Sequence, residues 1–160
     1  MKPAPFDYQA PDTLREAIGL LASNPEAFVI AGGQSLMPVL AFRLAPPSLL
    51  VDLRRLPGLG NIAVGDDGLS LGALVSWRHI EDDQRLVAAH PLLHAAVAHI
   101  AHYQIRNRGT VGGSLAHADP AVSGWRYSAI SARDGSTSAT ANSMRHRPQR
   151  SRRTRLPDPG

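Results

Sequence analysis

The apolar positions fall into short periodic runs separated by marked turns. Leu14, Ala17, Ile18 and Leu21 recur at i, i+3, i+4 and i+7, which predicts a helix with that face inward, capped by Asp12. Asn24-Pro25 ends it. The run Ala27 to Ala31 reads as a buried strand that stops at Gly32-Gly33-Gln34-Ser35. Leu36 to Leu44 reads as a short helix closed by Pro46-Pro47, and Leu49 to Leu53 as a second strand. Ile62 to Val64, the turn Gly65-Asp66-Asp67-Gly68 and Leu69 to Leu74 predict a hairpin. Ser76 caps a predicted helix to about Asp83. Pro91 opens another, with Leu92, Leu93, Ala96, Val97 and Ile100 inward. A loop carrying Gly109, Gly112 and Gly113 follows. Helices interleaved with short strands and one hairpin predict a mixed α+β domain.

Composition changes this picture at one point. The 160 residues contain no cysteine, which excludes disulfides, thiolate metal sites, a cysteine nucleophile and an iron–sulfur cluster held by this chain. The net charge of +4 is not evenly spread. Residues 1–121 hold nine Lys+Arg against eleven Asp+Glu, whereas 122–160 hold eight Arg against Asp134 and Asp158. The segment 122–160 is rich in Ser, Thr and Arg and poor in aliphatic residues, so it is expected to be disordered. Its arginine run would bind nucleic acid non-specifically at low salt, but no interleaved aromatics support true recognition. No apolar run reaches membrane-spanning length and no secretory signal opens the chain, so a soluble cytoplasmic protein with no nucleic-acid or membrane partner is expected.

The candidate chemistry lies in two glycine-rich stretches about 80 residues apart. Ala31-Gly32-Gly33-Gln34-Ser35 follows a strand and precedes a helix. Paired glycines permit φ > 0 and close approach of a ligand to main-chain N–H groups, and a helix N-terminus suits a phosphate. Thr110-Val111-Gly112-Gly113-Ser114 repeats the pattern with flanking hydroxyls. Together they could grip a pyrophosphate by backbone amides, without a metal.

Other groups read more plainly. His90 and His94 are split by Pro91 and lack the glutamate of an HExxH site. His99 and His102 read as helix-surface residues, and Glu81-Asp82-Asp83 as a solvated helix end. Arg106 and Arg108 are either phosphate neighbours or solvated loop charges. Asp52, closing a strand, is expected to make a turn hydrogen bond rather than bind a ribose.

The stretches VIAGGQSLMPVLAFRLAPPSLLVDLRRLPGL and HIAHYQIRNRGTVGGSLAHADPA, with the opening FDYQAPDTLREAIGLLASNPEAFVIAGGQS, resemble the FAD-binding, medium subunit of the molybdenum hydroxylases. Carbon monoxide dehydrogenase and xanthine dehydrogenase typify that family. The resemblance covers residues 4–121 and implies the N-terminal lobe, and the start of the second, of a PCMH-type FAD-binding domain. It implies that Val29, Ile30, Ala31, Gly32, Gly33, Gln34, Ser35 and Leu36, with Thr110, Val111, Gly112, Gly113 and Ser114, wrap the FAD diphosphate. It places the helix end at Ala101 near the cofactor. It further implies an iron–sulfur subunit that donates electrons and a molybdopterin subunit that oxidises the substrate; no residue of this chain is expected to act as acid, base or nucleophile.

The resemblance stops at Ala121. Ser123 stands where the family has an acidic residue, and the change to Arg/Ser-rich text is what a reading-frame shift produces. The domains are therefore taken as 1–121, a partial FAD-binding domain, and 122–160, an Arg/Ser-rich tail expected to be disordered, with out-of-frame translation or a gene-model error as the hypothesis for its origin. The expected consequences are exposed strand edges and weakened FAD binding. The alternative readings are a non-catalytic fragment that binds FAD weakly or not at all, and a basic-tailed nucleic-acid binder.

Overall fold

A computed structural model describes residues 2–66 and 68–117. The expectations for 122–160 lie outside the described residues.

The first unit is a parallel sheet with helical crossovers. Strand β1 (Asp7–Gln9), helix α1 (Leu14–Ser23), strand β2 (Ala27–Ile30), helix α2 (Leu36–Ala41) and strand β3 (Leu49–Asp52) follow in order. The sheet order is β1-β3-β2, with Tyr8 and Phe28 both opposite Leu50. The central strand β3 is buried along its whole length. Leu49 and Val51 pack with Ala17 and Leu56 in one core, joined by Leu20, Leu21, Ala27, Leu53 and Leu59. Period-two alternation puts Leu50 on the other face, where it is also buried. A parallel sheet needs both faces covered, which explains the continuous apolar run LLV.

Several elements differ from the sequence reading. Thr13, not Asp12, caps α1: its side chain accepts from the Glu16 amide, and Glu16 reaches back to the Thr13 amide in a capping box. The helix is also rotated. Leu14 and Ile18 are 59% and 58% exposed, while Ala17 turns inward. Ala17 and Leu21 of the predicted face do pack against the core, joined by Leu20 in place of Leu14 and Ile18. Strand β2 is only half-buried because it is an edge strand among the described residues.

Helix α2 ends at Ala41 rather than Leu44. The Leu44 amide donates to the Val39 carbonyl and the Arg43 amide to the Leu40 carbonyl, with Arg43 at φ 57°. This is a Schellman closure with arginine where glycine is usual. Arg43→Gly is therefore expected to stabilise the chain by roughly 0.5–1 kcal/mol, read from the urea unfolding midpoint.

The second unit begins with the predicted hairpin, β4 (Ile62–Gly65) and β5 (Gly68–Leu71), in the register Gly65↔Gly68. Helices α3 (Trp77–Asp82), α4 (Gln84–Ala89), α5 (Pro91–Val97), α6 (Tyr103–Arg108) and α7 (Val111–His117) follow. Their core is Val75, Trp77, Ile80, Leu86, Val97, Ile100 and Val111, backed by the hairpin's Ile62, Val64, Leu69 and Leu71. Ser76 caps α3 as predicted, accepting from the His79 amide. Leu92 does not face inward: it is 79% exposed, and Ile100 fills the core from the turn after α5.

Candidate functional site

A cleft of about 690 Å³ lies between the two units, within the usual range for small-molecule sites. It opens beyond the C-terminal end of β2, where parallel strands commonly present ligands. Ala31 to Leu36 form one wall, and Gly109, Thr110, Gly112, Gly113 and Ser114 form the other. The two glycine stretches singled out in the sequence are thus brought face to face. Phe28, Val29, Val39, Leu53 and Leu74 make the apolar part of the lining.

Glycine is required where the walls meet. A Cβ on Gly32 would overlap the main-chain carbonyl of Arg108, so the backbones of the two stretches touch there. Gly33 has φ 70°, the left-handed conformation anticipated for a paired-glycine turn. The Gln34 side-chain amide donates to the Gly32 carbonyl at 3.1 Å and holds the turn.

The two stretches are not equivalent. Among the described residues, the amides of Gly32, Gly33, Gln34, Ser35 and Leu36 donate to no protein acceptor. Five consecutive N–H groups of this cleft wall are thus, among the described residues, without a protein acceptor. The second stretch was expected to be a loop with the same chemistry, but from Val111 onward it is helix α7 and its amides are spent. The Val111 amide donates to the Val75 carbonyl and that of Gly112 to the Ala73 carbonyl, both at 2.9 Å. The Gly113 amide donates to Thr110 Oγ1 at 3.1 Å, and the Ser114 amide to the Thr110 carbonyl at 3.0 Å. What this wall offers is hydroxyl groups. Gly112 is glycine for packing: a Cβ there would stand 2.8 Å from the Ala73 carbonyl oxygen.

The remaining candidate residues are placed as follows. Ile30 and Val111 do not line the cleft; Val111 belongs to the second core. Ala101 is exposed, also off the cleft, and left-handed at φ 49°. Its carbonyl accepts from Arg106 Nη1 at 2.9 Å. Arg106 does not line the cleft and is not a solvated loop charge. Its side chain is mostly buried, paired with Glu81 at 3.1 Å, and donates to the carbonyls of Ala98, Ile100 and Ala101. That hydrogen bond from Arg106, with the nearby charges of Arg106 and Arg78, holds the Glu81 carboxyl below the usual range despite its partial burial.

Of the expected solvated acidic end, Asp82 pairs with Arg78, and Asp83 caps α4 by accepting from the Arg85 amide at 3.0 Å. Asp52 makes the anticipated turn bond, accepting from the Arg54 amide at 2.9 Å. His94 Nε2 lies 2.9 Å from the Glu81 carbonyl oxygen. No group of three or more metal-ligating side chains converges among the described residues.

Sequence reasoning missed Leu74, Trp77 and His117. Leu74 and His117 line the cleft, and the Trp77 indole donates to Ser114 Oγ at 3.1 Å. Glycine spacing carries no signal for such long-range neighbours.

The donor set suits an anion attached to a flat apolar group. Neither a carboxylate nor a lysine or arginine lines the cleft among the described residues, so a phosphate would be met by neutral N–H and O–H donors. The family described as the FAD binding domain in molybdopterin dehydrogenase matches residues 4–139. The chain belongs to this family. The fold and the cofactor follow: it is a PCMH-type FAD-binding domain of mixed α and β structure, and its cofactor is FAD.

Relatives of this FAD-binding domain are subunits of oxidoreductase complexes. The chain is 51% identical over 123 residues to the 6-hydroxypseudooxynicotine dehydrogenase complex subunit alpha of Paenarthrobacter nicotinovorans, covering 76% of this chain and 42% of that protein. It is 38% identical over 121 residues to the carbon monoxide dehydrogenase medium chain of Hydrogenophaga pseudoflava, covering 75% and 42%. The solved quinoline 2-oxidoreductase from Pseudomonas putida 86 matches with a TM-score of 0.71 and 50% identity over 74% of this chain and 42% of that one. The chain thus spans about two fifths of the length of these relatives. No helix of the described residues is long and apolar enough to cross a membrane.

Proposed function

We propose that this chain is the FAD-holding part of an electron-transfer subunit in a molybdenum hydroxylase complex. In this reading an iron–sulfur subunit delivers electrons, a molybdopterin subunit oxidises the substrate, and FAD supplies the redox chemistry that hands electrons to an acceptor. The residues of this chain bind and orient. The free amides from Gly32 to Leu36, with the hydroxyls of Ser35, Thr110 and Ser114, hold the diphosphate, and Phe28, Val29, Leu53 and Leu74 shield apolar parts of the cofactor from water. Val29 to Leu36 and Thr110 to Ser114 remain the proposed contact stretches. Ile30 and Val111 support them from beneath, and Ala101 belongs to the neighbouring turn.

The observation that carries the reading is the row of five amides that, among the described residues, have no acceptor and stand opposite a hydroxyl-bearing helix start, with no carboxylate among the described residues that line the cleft. The relatives' names also bear on substrate choice. They include a nicotine 6-hydroxylase, a caffeine dehydrogenase, a glyceraldehyde dehydrogenase and carbon monoxide dehydrogenases. One domain type serving such different reactions supports a cleft addressed to the cofactor rather than to the substrate.

The test is an FAD titration of the 160-residue chain, followed by flavin fluorescence and equilibrium dialysis. Saturable binding of one FAD per chain is expected. Failure of both this chain and an in-frame extended version to bind would overturn the reading. Binding only by the extended version would favour the second reading, a fragment with weak affinity, to which the two-fifths coverage of the relatives lends support.

A further inference from the structure

The second wall of the cleft is built on the segment from Ala73 to Trp77. Three main-chain bonds run along it, from the Val111 amide to the Val75 carbonyl, from Gly112 to Ala73, and from the Trp77 amide to the Gly109 carbonyl at 3.1 Å. Ser76 and Thr110 form an antiparallel bridge in the middle. Trp77 is 3% exposed and lies under the wall, with its ring 3.4 Å from the position a Cβ on Gly109 would take. From there its indole N–H donates to Ser114 Oγ at 3.1 Å.

That one bond fixes where the Ser114 oxygen sits. An indole N–H only donates, so it occupies a lone pair of the serine oxygen. The serine's own hydrogen is left to donate elsewhere. Serines inside helices often turn that hydrogen back to the carbonyl four residues earlier. Among the described residues, Ser114 Oγ has no such bond to Thr110 or to any other acceptor. The residue lines the cleft.

We infer that Trp77 is a positioning residue: by filling one lone pair of Ser114 Oγ it holds that hydroxyl in place so that its hydrogen donates to a phosphate oxygen of the cofactor. The inference rests on the FAD reading above and adds to it a residue that never touches the ligand. It also gives a reason for a buried aromatic with a polar tip at this point of the core.

A four-member cycle on the 160-residue chain tests it: the parent, Trp77→Phe, Ser114→Ala and the double variant, each titrated with FAD. Each single substitution is expected to weaken binding by roughly tenfold, and the double variant by no more than either alone. An unchanged Kd in Trp77→Phe, or single effects that multiply in the double variant, overturns the inference, because a merely structural Trp77 acts independently of Ser114. A second readout leaves Trp77 intact. FAD is expected to shift the ¹⁵N indole resonance of Trp77 in the parent and not in Ser114→Ala; equal shifts in both refute the coupling. If only the extended version binds FAD, the same cycle is run in it; if neither binds, the functional reading fails first and the inference falls with it. That outcome is distinct from a parent that binds and a cycle that is additive.

Discussion

Gly32→Val is expected to abolish FAD binding while leaving a folded chain. The Cα of Gly32 sits against the main-chain carbonyl of Arg108, with Gly109 beside it, so any Cβ must push a backbone rather than a flexible side chain. The first stretch would be driven away from the second, and the free amides of 32–36 would no longer face the Ser114 hydroxyl across the same gap. A loss of about 100-fold or more in FAD affinity is expected, since several charge-assisted bonds depend on that spacing. Overpacking of this kind costs about 1–3 kcal/mol, which a domain of ordinary stability survives. Gly19→Ala is the matched control. Nothing lies within 4 Å of a Cβ there, in the middle of α1, so binding should be unchanged and stability raised by about 0.5–1 kcal/mol. Equilibrium dialysis with FAD and urea unfolding of both variants decide the matter. Unchanged affinity in Gly32→Val would refute the assignment of the cleft.

The second large effect concerns stability. Asp52 is almost fully buried at the end of β3, where it takes hydrogen bonds from the Tyr8 hydroxyl of β1 and from the guanidinium and amide of Arg54. Burial alone would push its carboxyl up, but the bonds from Arg54 and Tyr8 outweigh it, and the group titrates below the usual carboxylate range. A carboxyl depressed in the folded state stabilises the fold fully above its unfolded pKa of about 3.9. That contribution is lost as the pH falls through the lower, folded value. Asp52→Asn is expected to cost about 1–2 kcal/mol at pH 7, a modest figure because the Arg54 side chain is 62% exposed and can return to water. Below about pH 4 the difference from the parent should begin to shrink, because the unfolded chain takes up a proton there, and it closes only below the lower, folded value. Urea unfolding at pH 7 and pH 3 measures it. A difference that grows at low pH would contradict the assignment.

The legible parts of this protein are those whose cause is local. The β3 run LLV, the Gly65–Gly68 turn, the Ser76 cap and Pro91 at a first helical position each carry their reason in adjacent residues, and each stands where the pattern put it. The glycine pair at 32–33 was legible for the same reason, as a turn between a strand and a helix. Helix α6 was not. None of its residues joins either hydrophobic core, and it is tied to α3 by the Arg106–Glu81 pair, a contact across 25 positions. Helix α7 was hidden by its own glycines, which read as a loop until Ala73 is seen pressing against Gly112.

The sequence by itself determined the α+β class, the two glycine stretches and, through them, the family and its cofactor. The class and the glycines depend on periodicity and on residue types that the backbone needs at fixed positions, whereas the family and its cofactor rest on the resemblance of the stretches around them. Only the tertiary structure decided how the two stretches divide their work. Whether an amide is free depends on which carbonyl reaches it, and the carbonyls that reach Val111 and Gly112 come from Val75 and Ala73, distant in sequence. The same holds for Trp77 beneath Ser114 and for the rotation of α1 that leaves Leu14 outside. Pairing across tens of residues is set by packing of the whole chain, and no local pattern encodes it.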